Sequence, residues 1–417
     1  MSCADTQQSS LMKILHTSDW HLGHTLYGHD RTAEQSCFLD QLARIVAQEK
    51  PDAMVVSGDV YHTSSPSATT QRLYTDAMLR IHNAYPPMAI VVLAGNHDSC
   101  SKLEVSSNLW KLAGLSVIGG IELDDNKRPR LSKHIIRVNG SDNKPAGYVV
   151  AVPHTYPQNY PSVADETPRD DRQRAFFQAL LDEVKKDNTL GLPVALAAHL
   201  TVGDGKLRDH EDAVVGGLEA ASIESLGTGY DYLALGHIHC PQNIACDKAT
   251  IRYCGSPLAV SFDEDFTHSV TIVNLETGQK PQINTVDINN PIPLVTLPTL
   301  PLPINDALSA LAMWPDDKLA YIRLNVLIEH TLEAGSHERA LEAVKGKNCL
   351  FCHIKAERKN THTAQNQPEI SVDEIRTMQP IEIAKLYYQE KNGTEMSEEL
   401  QALMLEACRQ VDADNQK

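Results

Sequence analysis

The amino-acid sequence predicts a layered α/β fold, followed by a small α+β domain and a terminal pair of helices. Nearly continuous apolar runs, which indicate strands buried on both faces, occur at residues 12–15, 53–56, 89–93, 194–198 and 232–235. Helical apolar patterns lie between some of these runs, at residues 33–48, 69–83 and 172–186. Alternating strands and helices are typical of layered α/β domains, whose sites form beyond the carboxyl ends of the strands.

The chain length of 417 residues is too great for one ordinary hydrophobic core and favours two or three domains. We expect the α/β domain to span residues 12–285 and the small α+β domain to span residues 290–360. A Pro-rich passage at residues 291–303 separates them. The predicted helices and strands of the small domain then alternate at residues 306–313, 321–328, 337–344 and 349–355.

The last part of the chain predicts two helices within residues 369–415, after a polar linker at residues 360–367. Pro380 and Ser397 are favourable first and capping residues for these helices. Apolar side chains recur at helical spacing in the second helix, at Leu400, Leu403, Met404, Ala407 and Val411. This pattern alone leaves two interpretations open: the stripe docks on a partner protein, or it packs on its own domain.

Composition and charge exclude several classes of protein. No apolar stretch reaches the roughly 18 residues of a membrane span, and the polar start lacks the features of a signal peptide. We therefore expect a cytoplasmic protein without membrane association, and we assign no structural role to the first eleven residues.

Nine cysteines, an odd number, favour reduced thiols. The net charge of -17 argues against a protein that grips nucleic acid by overall charge, so any binding of nucleic acid must be local, metal-assisted or shared with a partner.

Polar residues with metal-binding chemistry follow each of the predicted strands. In chain order they are Asp19, His21, Asp59, Asn96, His97, Asp98, His199, His237 and His239. Oxygen and imidazole ligands without cysteine suit Mn²⁺, Fe²⁺ or Zn²⁺ and fit a structural zinc site poorly. A pair of metal ions needs a bridging ligand, for which the lone carboxylate of Asp59 after Gly58 is the natural candidate.

These motifs and their order resemble the calcineurin-like metallophosphoesterase superfamily. Residues 13–23, 232–239 and 252–264 further resemble the SbcD nuclease family. The resemblance implies a sandwich of two sheets flanked by helices, in which the small α+β domain caps the site. It also implies that the C-terminal helix pair docks on the coiled coil of an SbcC-type ATPase, within a heterotetramer that contains a homodimer of this chain.

The same resemblance implies two divalent metal ions, with Mn²⁺ as the expected metal. One ion would be held by Asp19, His21, Asp59 and His239, and the other by Asp59, Asn96, His199 and His237. His97 would face the scissile phosphate rather than bind metal, and Asp98 would orient the His97 imidazole. For His62 two interpretations stay open, a second phosphate-facing histidine or a surface residue.

The activity implied by the resemblance is that of a 3′ to 5′ exonuclease on duplex DNA and an endonuclease that opens hairpins. The main alternative is a calcineurin-like phosphatase acting on nucleotides or phosphoproteins. Phosphoprotein phosphatases usually follow the second Gly-Asp with Asp-Arg-Gly, whereas Val60 to Thr63 stand here. A non-catalytic scaffold would have lost one of the ligand residues, and each of them is present.

Overall fold

A computed structural model describes residues 11–164, 167–203 and 220–358, and residues 381–382, 384–385, 387–388, 396–397, 400–401 and 403–404. Contacts divide the chain into two compact units, Met1–Glu357 and Arg358–Lys417. In the described part of the chain, no helix combines the length and the apolar character needed to cross a membrane.

The first unit is built mainly from strands. In chain order these are β1 (Leu11–Thr17), β2 (Thr25–Leu26), β3 (His29–Asp30), β4 (Ala53–Val56), β5 (Ala89–Leu93), β6 (Leu115–Ile118), β7 (Ile135–Asn139), β8 (Pro145–Val152), β9 (Val194–His199), β10 (Tyr232–Gly236), β11 (Gln242–Ile244), β12 (Thr250–Tyr253), β13 (Ser269–Glu276), β14 (Gln282–Asp287), β15 (Leu294–Leu302), β16 (Tyr321–Ile328) and β17 (Leu350–Arg358). The helices are α1 (Thr32–Glu49), α2 (Ala68–Ala84), α3 (Cys100–Glu104), α4 (Ser107–Leu112), α5 (Arg172–Asp187), α6 (Ile304–Ala312) and α7 (Ser336–Ala343).

The first large sheet has the strand order β14-β13-β1-β4-β5-β6. Strands β1, β4, β5 and β6 run parallel, while β13 pairs antiparallel with β1. Helices α1 and α2 cover the outer face, where Phe38, Leu42 and Met78 pack against strand residues such as Met54 and Ile90. The parallel strands therefore all end at one edge of the sheet.

The second large sheet has the order β11-β12-β10-β9-β8-β7. Its central strands β8, β9, β10 and β12 are parallel. Helix α5 covers the outer face through Phe176, Phe177 and Leu180. Helices thus flank the outer faces of the sandwich, α1 and α2 on the first sheet and α5 on the second, as predicted.

A continuous apolar layer joins the inner faces of the two sheets. The first sheet contributes larger side chains, including Ile14 and Val55, whereas the second contributes mainly alanines such as Ala195, Ala197 and Ala234. Because these side chains are small, the second sheet packs closely on the first. The predicted layered α/β fold is confirmed, and every predicted strand and helix of this layer is present.

The small sheet, of order β15-β16-β17, packs against α6 and α7. One difference from the predicted elements is β15, which occupies the Pro-rich passage. This strand lies at the sheet edge, where the missing N–H groups of Pro298 and Pro301 are tolerated. The small sheet also shares buried contacts with the large domain, since Tyr321 donates a hydrogen bond to Glu34 at 2.6 Å. Both belong to one compact unit, and the boundary at residue 290 stays a prediction.

The ends of the chain are described in part. Leu11, to which we assigned no structural role, begins β1, and residues 1–10 lie outside the described residues. The described residues 381–382, 384–385, 387–388, 400–401 and 403–404 are helical. The Ser397 hydroxyl accepts a hydrogen bond from the Leu400 amide at 3.3 Å, which is the predicted capping contact. Ala407, Val411 and the predicted linker lie outside the described residues.

Candidate metal centre

The residues predicted from the sequence converge where the parallel strands of both sheets end. Asp19 and His21 follow β1, and Asp59 follows β4. In the second sheet, His199 is the last residue of β9, and His237 follows β10 directly. Asn96 and His97 follow β5, so three loops of the first sheet and two of the second meet at this centre.

Successive side chains point in alternate directions, which explains why the motifs at residues 19–21 and 237–239 each contribute two residues to the centre. Trp20 lies between Asp19 and His21 and is buried in the core under α1. Ile238 lies between His237 and His239 and is likewise fully buried. The apolar residue anchors each loop, and its two neighbours turn toward the centre.

Asp19, His21 and His239 form the first group of possible metal ligands, with ligand atoms within 4.8 Å of one another. The Nε2 atoms of His21 and His239 are only 3.1 Å apart. Two neutral ring nitrogens facing one another repel unless a proton or a cation lies between them. With the buried Asp19 carboxylate beside them, these donors fit a divalent cation.

A second group surrounds His199. Its Nδ1 donates a hydrogen bond to the Ser57 carbonyl at 2.8 Å, which directs Nε2 toward oxygen atoms. Nε2 lies 2.9 Å from the Asn96 side-chain oxygen and 3.4 Å from Asp59 Oδ2. The Asn96 oxygen is also 3.1 Å from Nδ1 of His237. The group therefore offers two oxygens and two imidazoles to one cation.

Asp59 lies between the two groups. Its Oδ2 atom is 3.4 Å from Nε2 of His199 and 3.9 Å from Nε2 of His21. Its other oxygen, Oδ1, accepts a hydrogen bond from the His97 amide at 2.9 Å. One carboxylate oxygen is thus within reach of both groups, as a bridging ligand must be.

The charges in the centre also favour a cation. Burial opposes the charged form of Asp59, but the neighbouring histidines His199, His21 and His97 together outweigh burial and lower the pKa of the Asp59 carboxyl. Burial likewise opposes the charged form of His199, whose pKa Asp59 nevertheless raises. Burial lowers the pKa of His237 to about 3, so this ring is neutral near pH 7 and its lone pair is free for coordination. The site is therefore suited to a positive charge that replaces the proton on His199.

Several loop residues have positive φ angles, which residues other than glycine rarely adopt. Asp19, His21, Asp59 and His237 have φ angles of 53°, 45°, 50° and 101°. Such conformations cost roughly 1 to 3 kcal/mol each and persist only when surrounding contacts impose them. Here the Asp19 amide donates to the Gly58 carbonyl and the His21 amide donates to the Asp59 carbonyl, both at 3.0 Å.

Two glycines are required by the close approach of the loops. A Cβ atom at Gly58 would lie 2.3 Å from Nδ1 of His199, and φ at this residue is +92°. A Cβ atom at Gly95 would lie 2.1 Å from Oδ1 of Asp59. Any larger residue at either position would displace a side chain of the centre.

His97 and Asp98 differ in part from the expectation. The Nδ1 atom of His97 contacts the carbonyl of His62 at 2.8 Å, so His62 takes the place that we predicted for Asp98. Asp98 is buried instead, where its carboxylate accepts hydrogen bonds from the amides of Val60, Tyr61 and Gly95 at 2.9 to 3.1 Å. The physical reason is that these loop amides need an acceptor. Asp98 therefore holds the loop after β4 and reaches His97 only through the backbone.

Three residues near the centre were not predicted from the sequence. The His24 ring lies 4.6 Å from the His62 ring, measured between centroids, and its Nδ1 is 3.4 Å from Nη1 of Arg31. Glu264 approaches Nδ1 of His239 at 3.1 Å. Glu264 lies within the stretch 252–264 that resembles the SbcD family, which was the available signal. The sequence offered no such signal for His24 or Arg31, because a histidine and an arginine near a loop are common on any surface.

The chain is similar to proteins of known families. Residues 12–241 match the family described as calcineurin-like phosphoesterase. The chain is 30% identical over 414 residues to the SbcD subunit of the nuclease SbcCD of Bacillus subtilis, a match that covers 97% of this chain and 100% of that protein. The proteins of the same name from Rhodobacter capsulatus and Escherichia coli are 33% and 32% identical, over 73% and 63% of this chain and 77% and 66% of their own lengths.

The position of Asp59 between the two groups generates a test by metal analysis. Asp59→Ala should lower the occupancy of both metal positions, because it removes the shared oxygen. His21→Ala should chiefly empty one position, because its ring nitrogen belongs to the first group. Both variants and the unaltered protein are loaded with Mn²⁺, separated from free metal and analysed for bound metal. Full occupancy of both positions in Asp59→Ala would contradict the shared role.

Proposed function

Because this chain belongs to the SbcD family of calcineurin-like phosphoesterases, we propose that it is the metal-dependent nuclease subunit of an SbcCD-type complex. Its reaction is the hydrolysis of phosphodiester bonds in DNA. The observation that carries the proposal is the pair of ligand groups that share Asp59 at the strand ends. The phosphatase alternative has less support, because the relatives that match most of this chain are nucleases by name.

The proposal assigns two divalent cations to the centre, with Mn²⁺ as the metal. Asp19, His21, Asp59 and His239 would hold one cation, and Asp59, Asn96, His199 and His237 would hold the other. The buried members form the floor of the centre, whereas Asn96 is exposed and His237 and His239 are half-buried. A phosphate group can therefore reach the centre from the side of these three residues.

When bound, such cations offset the charge of the phosphate and lower the pKa of water. The chain's own contribution at the substrate is assigned to His97. Its amide donates to Asp59, and its Nδ1 is engaged by the His62 carbonyl, so Nε2 is the nitrogen that remains for the substrate. A half-buried imidazole fixed at both places can stabilise the developing charge or protonate the departing oxygen.

We propose DNA ends and hairpins as the substrates, with 3′ to 5′ exonuclease activity on duplex DNA and endonuclease activity on hairpins. The family resemblance supports these finer assignments, which imply roles in replication, recombination and repair. The acidic chain, with its net charge of -17, supplies little attraction for the DNA backbone by itself. The cations of the centre and a basic partner would supply it.

The proposed partner is an SbcC-type ATPase, which the C-terminal helix pair contacts through its apolar stripe. In this stripe Leu403 is 67% exposed and Leu400 is 39% exposed. Exposed leucines at helical spacing favour an intermolecular contact over packing on the same domain. The assembly would be a heterotetramer that contains two copies of this chain.

One assay separates the nuclease from the phosphatase alternative. The purified full chain, with and without the ATPase, is incubated with Mn²⁺ and a labelled hairpin DNA, a labelled duplex or a phosphopeptide. We expect cleavage of both DNA substrates and no turnover of the phosphopeptide. Phosphopeptide turnover without DNA cleavage would overturn the proposal.

The role of His97 predicts that His97→Asn keeps both metals while single-turnover cleavage falls by about 10² to 10⁴ on hairpin and duplex alike. The matched control is His82→Asn, the same change on α2, which should cleave at the unaltered rate. Metal content is measured on the same samples. Loss of metal in step with activity would make His97 a ligand, and near-normal turnover would remove it from the mechanism.

The role of the stripe predicts that Leu400→Asp combined with Leu403→Asp weakens association with the ATPase, because two carboxylates would be buried in an apolar contact. Replacing the exposed Lys186 and Lys345 by Gln changes the net charge equally outside the helix pair and should leave association unchanged. Binding is measured by co-purification and by light scattering. Undiminished binding of the Asp variant would show that the stripe is not the docking surface.

A further inference from the structure

His239 is held differently from the other histidines of the centre. Nδ1 of His199 rests on a neutral backbone carbonyl, that of Ser57, at 2.8 Å. Nδ1 of His239 instead lies 3.1 Å from Oε1 of Glu264. The Glu264 side chain has no exposed surface, so this contact is made away from solvent.

Glu264 is itself fixed by a short loop that follows β12. Its second oxygen, Oε2, accepts hydrogen bonds from the Val260 amide at 3.2 Å and from the Ser256 hydroxyl at 3.3 Å. Oε2 also lies 3.7 Å from Nε2 of His268. This loop holds Oε2, while Oε1 faces His239.

The geometry points to Glu264 as a positioning residue that prepares His239 for one metal ion and not for the other. Glu264 accepts the Nδ1 proton of His239, which leaves Nε2 without a proton. Nε2 is the atom that faces His21 at 3.1 Å, in the group formed with Asp19. A carboxylate behind a ligating histidine fixes its tautomer and orientation and makes the ligating nitrogen more basic.

The substitution Glu264→Gln tests this function because the amide has nearly the same shape but one acceptor fewer. If the Gln oxygen accepts from the Val260 amide, its NH₂ group faces Nδ1 of His239. His239 must then move its proton to Nε2, the nitrogen that the metal needs. If the Gln oxygen turns to His239 instead, the Val260 amide loses its acceptor and the loop is disturbed.

The experiment is a calorimetric titration of the metal-free full chain with Mn²⁺, without DNA. We expect Glu264→Gln to weaken one of the two binding steps by about 10- to 100-fold and to leave the other unchanged. Asp263→Asn is the matched control. It removes the neighbouring carboxylate, which pairs with Arg323 at 2.6 Å, and both steps should stay as in the unaltered chain.

Thermal unfolding of the metal-free proteins separates positioning from general support of the fold. Positioning requires that metal-free Glu264→Gln unfolds near the temperature of the unaltered metal-free chain. Equal weakening of both metal steps with a lower unfolding temperature would overturn the inference, as would unaltered affinity at both steps. If Glu264→Gln does not fold, the same titration is made with Ser256→Ala. This variant loosens Oε2 and should weaken the same single step, and unchanged binding would count against the inference.

The inference rests on the proposed metal centre but not on the proposed substrate. Metal affinity is measured without nucleic acid, so a failure to cleave DNA would leave this result unaffected. Conversely, the unaltered chain could cleave DNA while Glu264→Gln binds both ions normally. That outcome would overturn only the role of Glu264.

Discussion

The centre depends on carboxylates that have two roles. Each is a candidate metal ligand, and each accepts a hydrogen bond from the backbone of another loop. Asp59, after β4, accepts the amide of His97, which follows β5. Asp19, after β1, accepts the amide of His237 at 3.1 Å and so joins the loops of the two sheets. Buried amides need such acceptors. The loops are therefore held in place by the same groups that would bind the cations.

This double use explains why strained backbone is tolerated at the ligands. A left-handed conformation at Asp19 or Asp59 is unfavourable in isolation, yet each residue is fixed on both its backbone and its side chain. Glycines at Gly58 and Gly95 then allow the loops to approach within contact distance of those side chains. Removing the Asp59 carboxylate should consequently disturb more than one candidate ligand, whereas removing the His21 ring should disturb chiefly its own group.

Much of this arrangement could be predicted from the sequence, for a physical reason. Buried parallel strands have continuous apolar runs, and β4 and β5 begin and end where those runs do. Polar residues after such strands must meet at one edge, so the convergence of the candidate residues could be predicted from their order, whereas their division into two sets of metal ligands was implied by the family resemblance. Contacts between distant segments do not show in a local pattern. The partner of Asp98 and the approach of Glu264 to His239 could therefore not be derived, and β15 was obscured by its prolines.

Because the chain is acidic, cations bound at the centre would also be needed to attract a phosphate group. Burial lowers the pKa of His24 to about 3 and also lowers the pKa of His62, so both rings are neutral near pH 7, although His62 stacks on His97 and His24 contacts His62. The nearby Arg31 guanidinium is paired with Glu34 and buried. Without cations, the buried Asp19 and Asp59 carboxylates would leave little attraction for a phosphate group. Under the proposed function, the electrostatic attraction for DNA would come from bound metal at the centre and from a basic partner beyond it, which would link metal loading to substrate binding as well as to cleavage.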